Sequence, residues 1–306
     1  MIHIFYSENF NIDLGLLRYL HPFDGMKFQK VFDDIQSNSN IKFHSPENPI
    51  SLTLVNEFVN ELIELLIIEK VTILRALEVP NIPFVGFSYL DKKILSPMRY
   101  GVSATLQATK LALTGKNCWN LAGGYHHASQ HNMEGFCIYN DIGITYQELI
   151  KSGELINTDQ VLIIDTDAHH GNGNARTFLD NDKVKILDVY NSDIYPQSEF
   201  TRERIDFPVP VSSGISGDEY LAKYQKALNT LSSDYKVAFV VAGTDVLASD
   251  KLGHMKLTID DVVEREKITL ERLKALDIPV VFLGGGGYSK ESAQAISAAI
   301  NRISEL

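Results

Sequence analysis

Short apolar runs rich in valine and isoleucine recur along the chain: Ile2 to Tyr6, Cys118 to Ala122, Val161 to Asp165, Val184 to Val189, Val237 to Ala242 and Val280 to Leu283. A strand covered on both faces needs this near-continuous apolarity, whereas a half-exposed strand alternates with polar residues. The runs therefore predict a mainly parallel central sheet. Between them, apolar positions return every three or four residues, as in Leu54, Val55, Phe58, Val59, Leu62, Ile63 and Leu66, and again in Ile296, Ile300 and Ile303. That spacing lines one face of a helix. Helices on both faces of a parallel sheet make a three-layer α/β/α architecture.

The alternation runs through all 306 residues without a Ser/Pro/Gly-rich linker, a charge block or an internal repeat, and 44% of the residues are hydrophobic. A single domain over residues 1–306 with one large core is predicted. A formal net charge of -11 argues against gripping nucleic acid by its phosphates, which takes clustered Lys and Arg. It leaves a basic peptide or an amine open as substrate. The opening MIHIFYSENF lacks the basic start and small-residue cleavage site of an export signal. The most apolar stretch, Leu62 to Leu77, is interrupted by Glu64, Glu69, Lys70 and Arg75, which a bilayer penalises. No membrane span and a cytoplasmic location are expected, with Cys118 and Cys137 as free thiols rather than a disulfide framework.

Polar residues or glycines follow Ala122, Ile164, Ala242 and Leu283, at the carboxyl ends of four of the runs. In open α/β sheets ligands bind at that edge, because loops from separate strands converge there. The densest loop is DTDAHHGNG, with Asp165, Asp167, His169, His170 and Asn172. Alternate residues of an extended backbone share a face, so Asp165, Asp167 and His169 can point the same way. Asp245 ends another apolar run, where a bare charge is costly unless it meets a cation or a donor. Asp167, His169 and Asp245 would form a neutral site with a divalent metal, and three protein ligands leave a position open, as in catalytic zinc. In GGYHHAS, His126 and His127 follow a glycine turn and are candidates for proton transfer. In GGGGYSK, Tyr288 follows four glycines that have neither G-x-G-x-x-G spacing nor a P-loop Lys. Its hydroxyl could donate to a developing oxyanion.

Taken in order, LHPFDGMKFQKV, GGYHHAS, GFCIYNDI, DTDAHHGNG, LDVYNSDIYP, AGTDVLASD and GGGGYSK resemble the motifs of the zinc-dependent histone deacetylases and their bacterial relatives, over nearly the whole chain. LHPFD, HHGNG, DVYN with its following IYP, and AGTD with its following DKLG are most similar to the class IV branch. The resemblance implies the arginase/deacetylase fold and a zinc-dependent lysine deacetylase or longer-chain deacylase. It implies Asp167, His169 and Asp245 as zinc ligands, His126 and His127 as the tandem histidines, and Tyr288 as the transition-state tyrosine. Asp165 would orient His126, and Asn172 would orient His127. Many family members have an aspartate where this chain has Asn172; a neutral amide cannot stabilise an imidazolium, so His127 is expected to rest neutral and act as base.

The resemblance further implies potassium at Asp165, Asp188 and the carbonyls of Asp167 and His169, and a second potassium at the carbonyls of Phe178, Asn181 and Val184. Gly135, Phe136, Tyr195 and Leu252 fall on the stretches that wall the substrate channel. The substrate is expected to be an acyl-lysine protein or peptide, or an acylated small amine; acyl length and target stay open. An acetylpolyamine amidohydrolase is the near alternative. A non-catalytic binder of acyl-lysine or a metabolite is the alternative of another class, and a binuclear arginase-type hydrolase is disfavoured because AGTDVLASD lacks a closely spaced aspartate pair.

Overall fold

A computed structural model describes residues 1–12, 22–81, 83 and 85–306. Leu20 and His21, which open the LHPFD motif, lie outside the described residues. Among the described residues, β1 (Ile2–Phe5), β2 (Ile41–His44), β3 (Cys118–Asn120), β4 (Gln160–Asp165), β5 (Val184–Asn191), β6 (Phe207–Val211), β7 (Tyr235–Val241) and β8 (Val280–Leu283) form one sheet. Their order is β2-β1-β3-β8-β7-β4-β5-β6, and every pairing is parallel. The six strands read from apolar runs are the six inner ones.

The two edge strands escaped that reading for a physical reason. β2, IKFH, is only partly buried along its length, and β6, FPVPV, alternates half-buried with exposed positions. Neither is covered on both faces, so neither needs a continuous apolar run. Pro208 and Pro210 have no N–H to give to a ladder, which an edge strand tolerates and an inner strand does not.

Helices Lys27–Ile35, Gly217–Leu228, Ile259–Ala275 and Ser292–Ser304 pack on one another, and Ser96–Ala112 packs with Asp141–Ser152 and against β3 and β8, giving the three-layer α/β/α arrangement. The core between the layers includes Ile163, Phe239 and Val281, none of them accessible to solvent, and the Trp119 ring stacks on Phe282 of the neighbouring strand at 4.8 Å. The helical stripe from Leu54 to Leu66 is divided in two, Leu52–Phe58 and Glu61–Leu66. Asn60 makes the break: its side-chain oxygen accepts from Ile63 N at 2.8 Å and starts a new helix, while its own N–H leaves for Gln130 O at 3.0 Å. The periodicity survives because the chain resumes in nearly the same phase.

The centre of the sheet is tied at its carboxyl edge by one buried side chain. Arg265, inaccessible to solvent within the helix Ile259–Ala275, donates from Nη1 to Thr166 O at 2.9 Å and from Nη2 to Gly243 O at 2.8 Å. Its Nε donates to Glu266 Oε1 at 3.0 Å, a carboxylate that is equally buried. Thr166 directly follows β4 and Gly243 follows β7, so a single guanidinium ties both strand ends to one helix. Arg265→Ala should lower unfolding free energy by about 3–5 kcal/mol, because it strands the Glu266 charge and two carbonyls. Urea denaturation measures this, and a loss below about 1 kcal/mol would mean that the clip is dispensable.

Candidate active site

Strands β3, β8, β7 and β4 are consecutive in the sheet, so the four loops singled out by their polar residues leave from four neighbouring strands. The loop after β4 is fixed first. Thr166 N and Oγ1 both donate to Val241 O, at 3.0 and 2.9 Å, and Asp167 N donates to Asp165 Oδ1 at 3.2 Å. Asp167 and His169 then face Asp245, and one ligand atom from each lies within 4.8 Å of the other two. His169 Nδ1 stands 3.1 Å from Asp167 Oδ1 and 2.7 Å from Asp245 Oδ2.

The remaining carboxylate oxygens are held by backbone. Asp245 Oδ1 accepts from Ala168 N at 2.9 Å, and Asp167 Oδ2 accepts from Gly286 N at 2.7 Å. A Cβ on Gly286 would stand 2.6 Å from Asp167 Oδ2, so the glycine run of GGGGYSK is needed for close approach to the carboxylate. Asp167 and Asp245 are both buried. Burial and the charge of Asp167 push Asp245 up to about 7. Burial works the same way on Asp167, but the His126 and His169 charges outweigh it and hold that carboxyl well below the usual range. One partly exposed imidazole and two buried carboxylates, with an excess of negative charge, suit a divalent zinc ion; the three side chains fit that group.

The two adjacent histidines are both buried, yet their surroundings differ. His126 Nδ1 donates to Asp165 Oδ2 at 2.8 Å, and its Nε2 lies 3.7 Å from Asp167 Oδ1. Burial would lower its pKa, but Asp165 and Asp167 prevail and raise it to about 9. His127 Nδ1 donates instead to Asn172 Oδ1 at 2.7 Å. Burial, with the His126 and His169 charges, drives its pKa well below the ordinary value. The ring centroids are 4.0 Å apart, so charge on one disfavours charge on the other. The turn before them is anchored by Asp141, a buried carboxylate that accepts from Gly124 N at 3.0 Å and Tyr125 N at 2.9 Å.

Tyr288 closes the group from the β8 side. Asp250 fixes its backbone, its Oδ2 accepting from Tyr288 N at 2.7 Å and Ser289 N at 3.0 Å. The phenol ring meets Phe136 edge-on at 5.5 Å, and burial with the Asp167 and Asp245 charges raises its pKa well above the ordinary value. A cavity of about 230 Å³ leads in from the surface between Phe136, Tyr195, Leu252 and Tyr288, with His127 and His169 on its wall. All four expected channel residues line it. A second cavity of about 100 Å³ shares His127, Phe136 and Tyr288 and runs on past Phe28, Ile94 and Met98.

The model of the histone deacetylase domain matches residues 28–303 of this chain. The chain belongs to the histone deacetylase family. Histone deacetylase 2 of Arabidopsis thaliana is 33% identical over 99% of this chain and 79% of its own length. Type-1 histone deacetylase 1 of Dictyostelium discoideum is 32% identical over 56% of this chain and 34% of its own, longer, length. The crystal structure of the HDA15 HD domain superposes with a TM-score of 0.76 over 99% of this chain and 87% of that one, at 18% identity. That likeness establishes the three-layer arginase/deacetylase fold.

The structure adds detail at His170 and at the two expected potassium positions. His170 takes no part in the metal cluster: it is wholly buried, with Nδ1 2.6 Å from Asp188 Oδ2 and Nε2 2.9 Å from Thr201 Oγ1. It is a satisfied core histidine. At the first expected potassium position, Asp188 lies opposite Asp165 in the β4–β5 register. Its Oδ1 is buried with no hydrogen-bond partner among the described residues. At the second expected potassium position the three carbonyls have a side-chain partner. Arg204 donates from Nε to Phe178 O at 2.8 Å and from Nη2 to Asn181 O at 3.1 Å and Val184 O at 2.6 Å. One guanidinium therefore donates to all three carbonyls.

Several contributors carried no signal at the level of motif. Asp250 and Asp141 lie inside AGTDVLASD and GFCIYNDI, but only the folded chain shows which backbone amides they hold. Lys27 is buried with its ammonium 3.5 Å from Gly286 O and 3.4 Å from Gly287 O, beside the rings of Phe23 and Phe28. Burial lowers its pKa to about 8, against the pull of Asp245 and Asp167. A lysine beside an apolar run is the signal that could have found it.

If the cluster holds a divalent metal, Asp245→Asn should lose most of it on dialysis, since two neutral ligands and one carboxylate hold such an ion poorly. Elemental analysis of purified protein decides it, and full retention would remove Asp245 from the ligand set. Arg204→Ala should cost about 2–4 kcal/mol in urea unfolding, because three carbonyls and the Asp206 charge lose a charged donor. An unchanged midpoint would show those contacts to be idle.

Proposed function

We propose that this chain is a zinc-dependent hydrolase of acyl-lysine amides, built as one catalytic domain over residues 1–306 and working in the cytoplasm. One observation carries the reading: the ligand atoms of Asp167, His169 and Asp245 gather within 4.8 Å at the inner end of a cavity whose wall holds His127 and Tyr288. Membership of the histone deacetylase family supports the same chemistry. The motifs favour the class IV branch. No described helix is long and apolar enough to cross a membrane, and neither Cys118 nor Cys137 is in a disulfide.

When bound, zinc would supply Lewis acidity, polarising the substrate carbonyl and making a water molecule acidic near neutral pH. The chain's own residues do the rest. With Nδ1 occupied by Asn172, His127 presents Nε2 to the cavity and takes the proton of the attacking water. The Tyr288 hydroxyl donates a hydrogen bond to the carbonyl oxygen as negative charge grows there. His126, held by Asp165 and raised in pKa, keeps a positive charge close to that oxygen. His127 then returns its proton to the departing amine as the C–N bond breaks, leaving an acid and a free lysine. Asp165 and Asp188 would hold one potassium ion behind His126.

The channel residues Phe136 and Tyr195 flank the methylene stem of the lysine, and Gly135 and Leu252 complete the wall. The apolar cavity beyond Tyr288 favours a long acyl chain over acetate, since it extends past the reacting group toward Phe28, Ile94 and Met98. An acetylpolyamine is the second reading, favoured by Glu78, an exposed carboxylate on the channel wall that would attract a cationic amine. The net charge of -11 gives nucleic acid no purchase.

The test is a panel of acetyl-lysine and myristoyl-lysine peptides with acetylspermidine, assayed for released acid with zinc, after chelation and after zinc is restored. Metal-dependent release from the lysine peptides is expected, faster for the long chain. Preference for acetylspermidine would support the second reading, and tight binding with no product from any of the three would make the chain a binder. Tyr288→Phe should lower kcat about 100- to 1000-fold with little change in KM, because its hydroxyl acts on charge that develops only in the transition state. A loss confined to KM would remove that role.

A further inference from the structure

Glu134 belongs to none of the ligand or proton-transfer motifs, yet its carboxylate stands directly behind one of the tandem histidines. Its Oε1 accepts from Asn172 Nδ2 at 2.8 Å and also pairs with Arg176. Asn172 and Arg176 are four residues apart on the helix Asn172–Thr177, so one carboxylate meets both on the same face. At its other end Asn172 offers Oδ1 to His127 Nδ1 at 2.7 Å.

A carboxamide has two ends of almost equal shape and opposite hydrogen-bond sense. Turned over, Asn172 would point N–H bonds at His127 Nδ1 and force the ring proton onto Nε2, the nitrogen that has to be free to accept one. A carboxylate only accepts. Glu134 therefore takes the nitrogen end of the amide and leaves the oxygen end for the imidazole.

The same residue begins the turn that walls the channel. Cys137 N donates to Glu134 O at 2.9 Å, and between them Gly135 and Phe136 adopt φ of 56° and 66°. A Cβ at Gly135 would come within 2.3 Å of His127 Cδ2, so this turn is packed against the imidazole itself. Across the channel the Tyr195 ring meets His127 at 5.4 Å. Burial and the neighbouring Glu134 carboxylate raise the Tyr195 pKa.

We propose that Glu134 is a positioning residue which, through Asn172, fixes His127 as the Nδ1–H tautomer with Nε2 open to the substrate. The inference rests on the reading of His127 as the base. It also accounts for how the chain manages with an amide beside that ring: the carboxylate sits one hydrogen bond further back, with its charge shared by Arg176.

The test uses zinc-loaded full-length protein, with kinetics on an acyl-lysine peptide and ¹⁵N spectra of labelled histidines. Glu134→Ala should lower kcat about 10- to 100-fold with KM little changed, and the Nδ1–H signal of His127 should weaken in favour of Nε2–H. Glu134→Gln keeps an acceptor oxygen and should recover most of that loss. Asn172→Asp would set a carboxylate against Glu134, so adding Glu134→Gln to Asn172→Asp should raise activity, the reverse of its effect in the native background. That reversal is the signature of direct coupling, and it remains measurable if Glu134→Ala does not fold. Native kcat and an intact Nδ1–H signal in Glu134→Ala would overturn the proposal, as would Gln no better than Ala, or additive effects in the double variant. If the native protein hydrolyses no substrate, the functional reading falls, while the tautomer signals still decide the role of Glu134.

Discussion

Asp167 and Asp245 are buried carboxylates that both face His169 Nδ1. Removing each from water costs several kcal/mol, and their repulsion adds to that cost, so the arrangement is stable only with positive charge between them. Much of the surrounding structure answers this constraint. Backbone amides of Ala168 and Gly286 hold the outward oxygens, and the Lys27 ammonium approaches from behind the glycine run. Arg265 grips the peptide before Asp167 and the one two residues before Asp245. Both strand ends are thereby tied to the helix Ile259–Ala275.

The parts of the fold that were legible in the sequence are those with a one-dimensional signature. Inner strands must be apolar on both faces, so six of them stand out as runs; β2 and β6 lie at the edges and do not. The division of the helical stripe at Asn60 was hidden because a capping residue breaks a helix without breaking its period. In the site, the zinc-ligand candidates, the histidine pair and Tyr288 were visible because strand ends place them at one edge, and the motif order matched a family. Partner choice was not visible. His170 stands next to His169 in sequence but turns into the core toward Asp188 and Thr201, and Arg204 reaches carbonyls at Phe178, Asn181 and Val184 that leave no side-chain trace. Long side chains choose partners by three-dimensional reach, which spacing does not encode.

The tandem histidines illustrate how environment separates the charge preferences of identical side chains. His126 has a carboxylate on Nδ1 and another near Nε2, and its charge is favoured; His127 has an amide on Nδ1 and a charged ring 4.0 Å away, and its charge is disfavoured. A neutral imidazole beside a charged one provides a base and a fixed positive centre in the same pocket. Glu134 and Asp250 extend this into the loops, one behind Asn172 and the other behind the Tyr288 backbone. The turn at Glu134 and the His127 ring are thus joined by hydrogen bonds through Asn172.

The claim beneath all of this is that two carboxylates and one imidazole share a divalent cation. X-ray absorption at the zinc edge on the zinc-loaded protein tests it most directly. The account predicts a shell of oxygen and nitrogen at about 2.0–2.2 Å with the scattering of a single imidazole and no sulfur. A sulfur shell near about 2.3 Å, or scattering from two or more imidazoles, would contradict it.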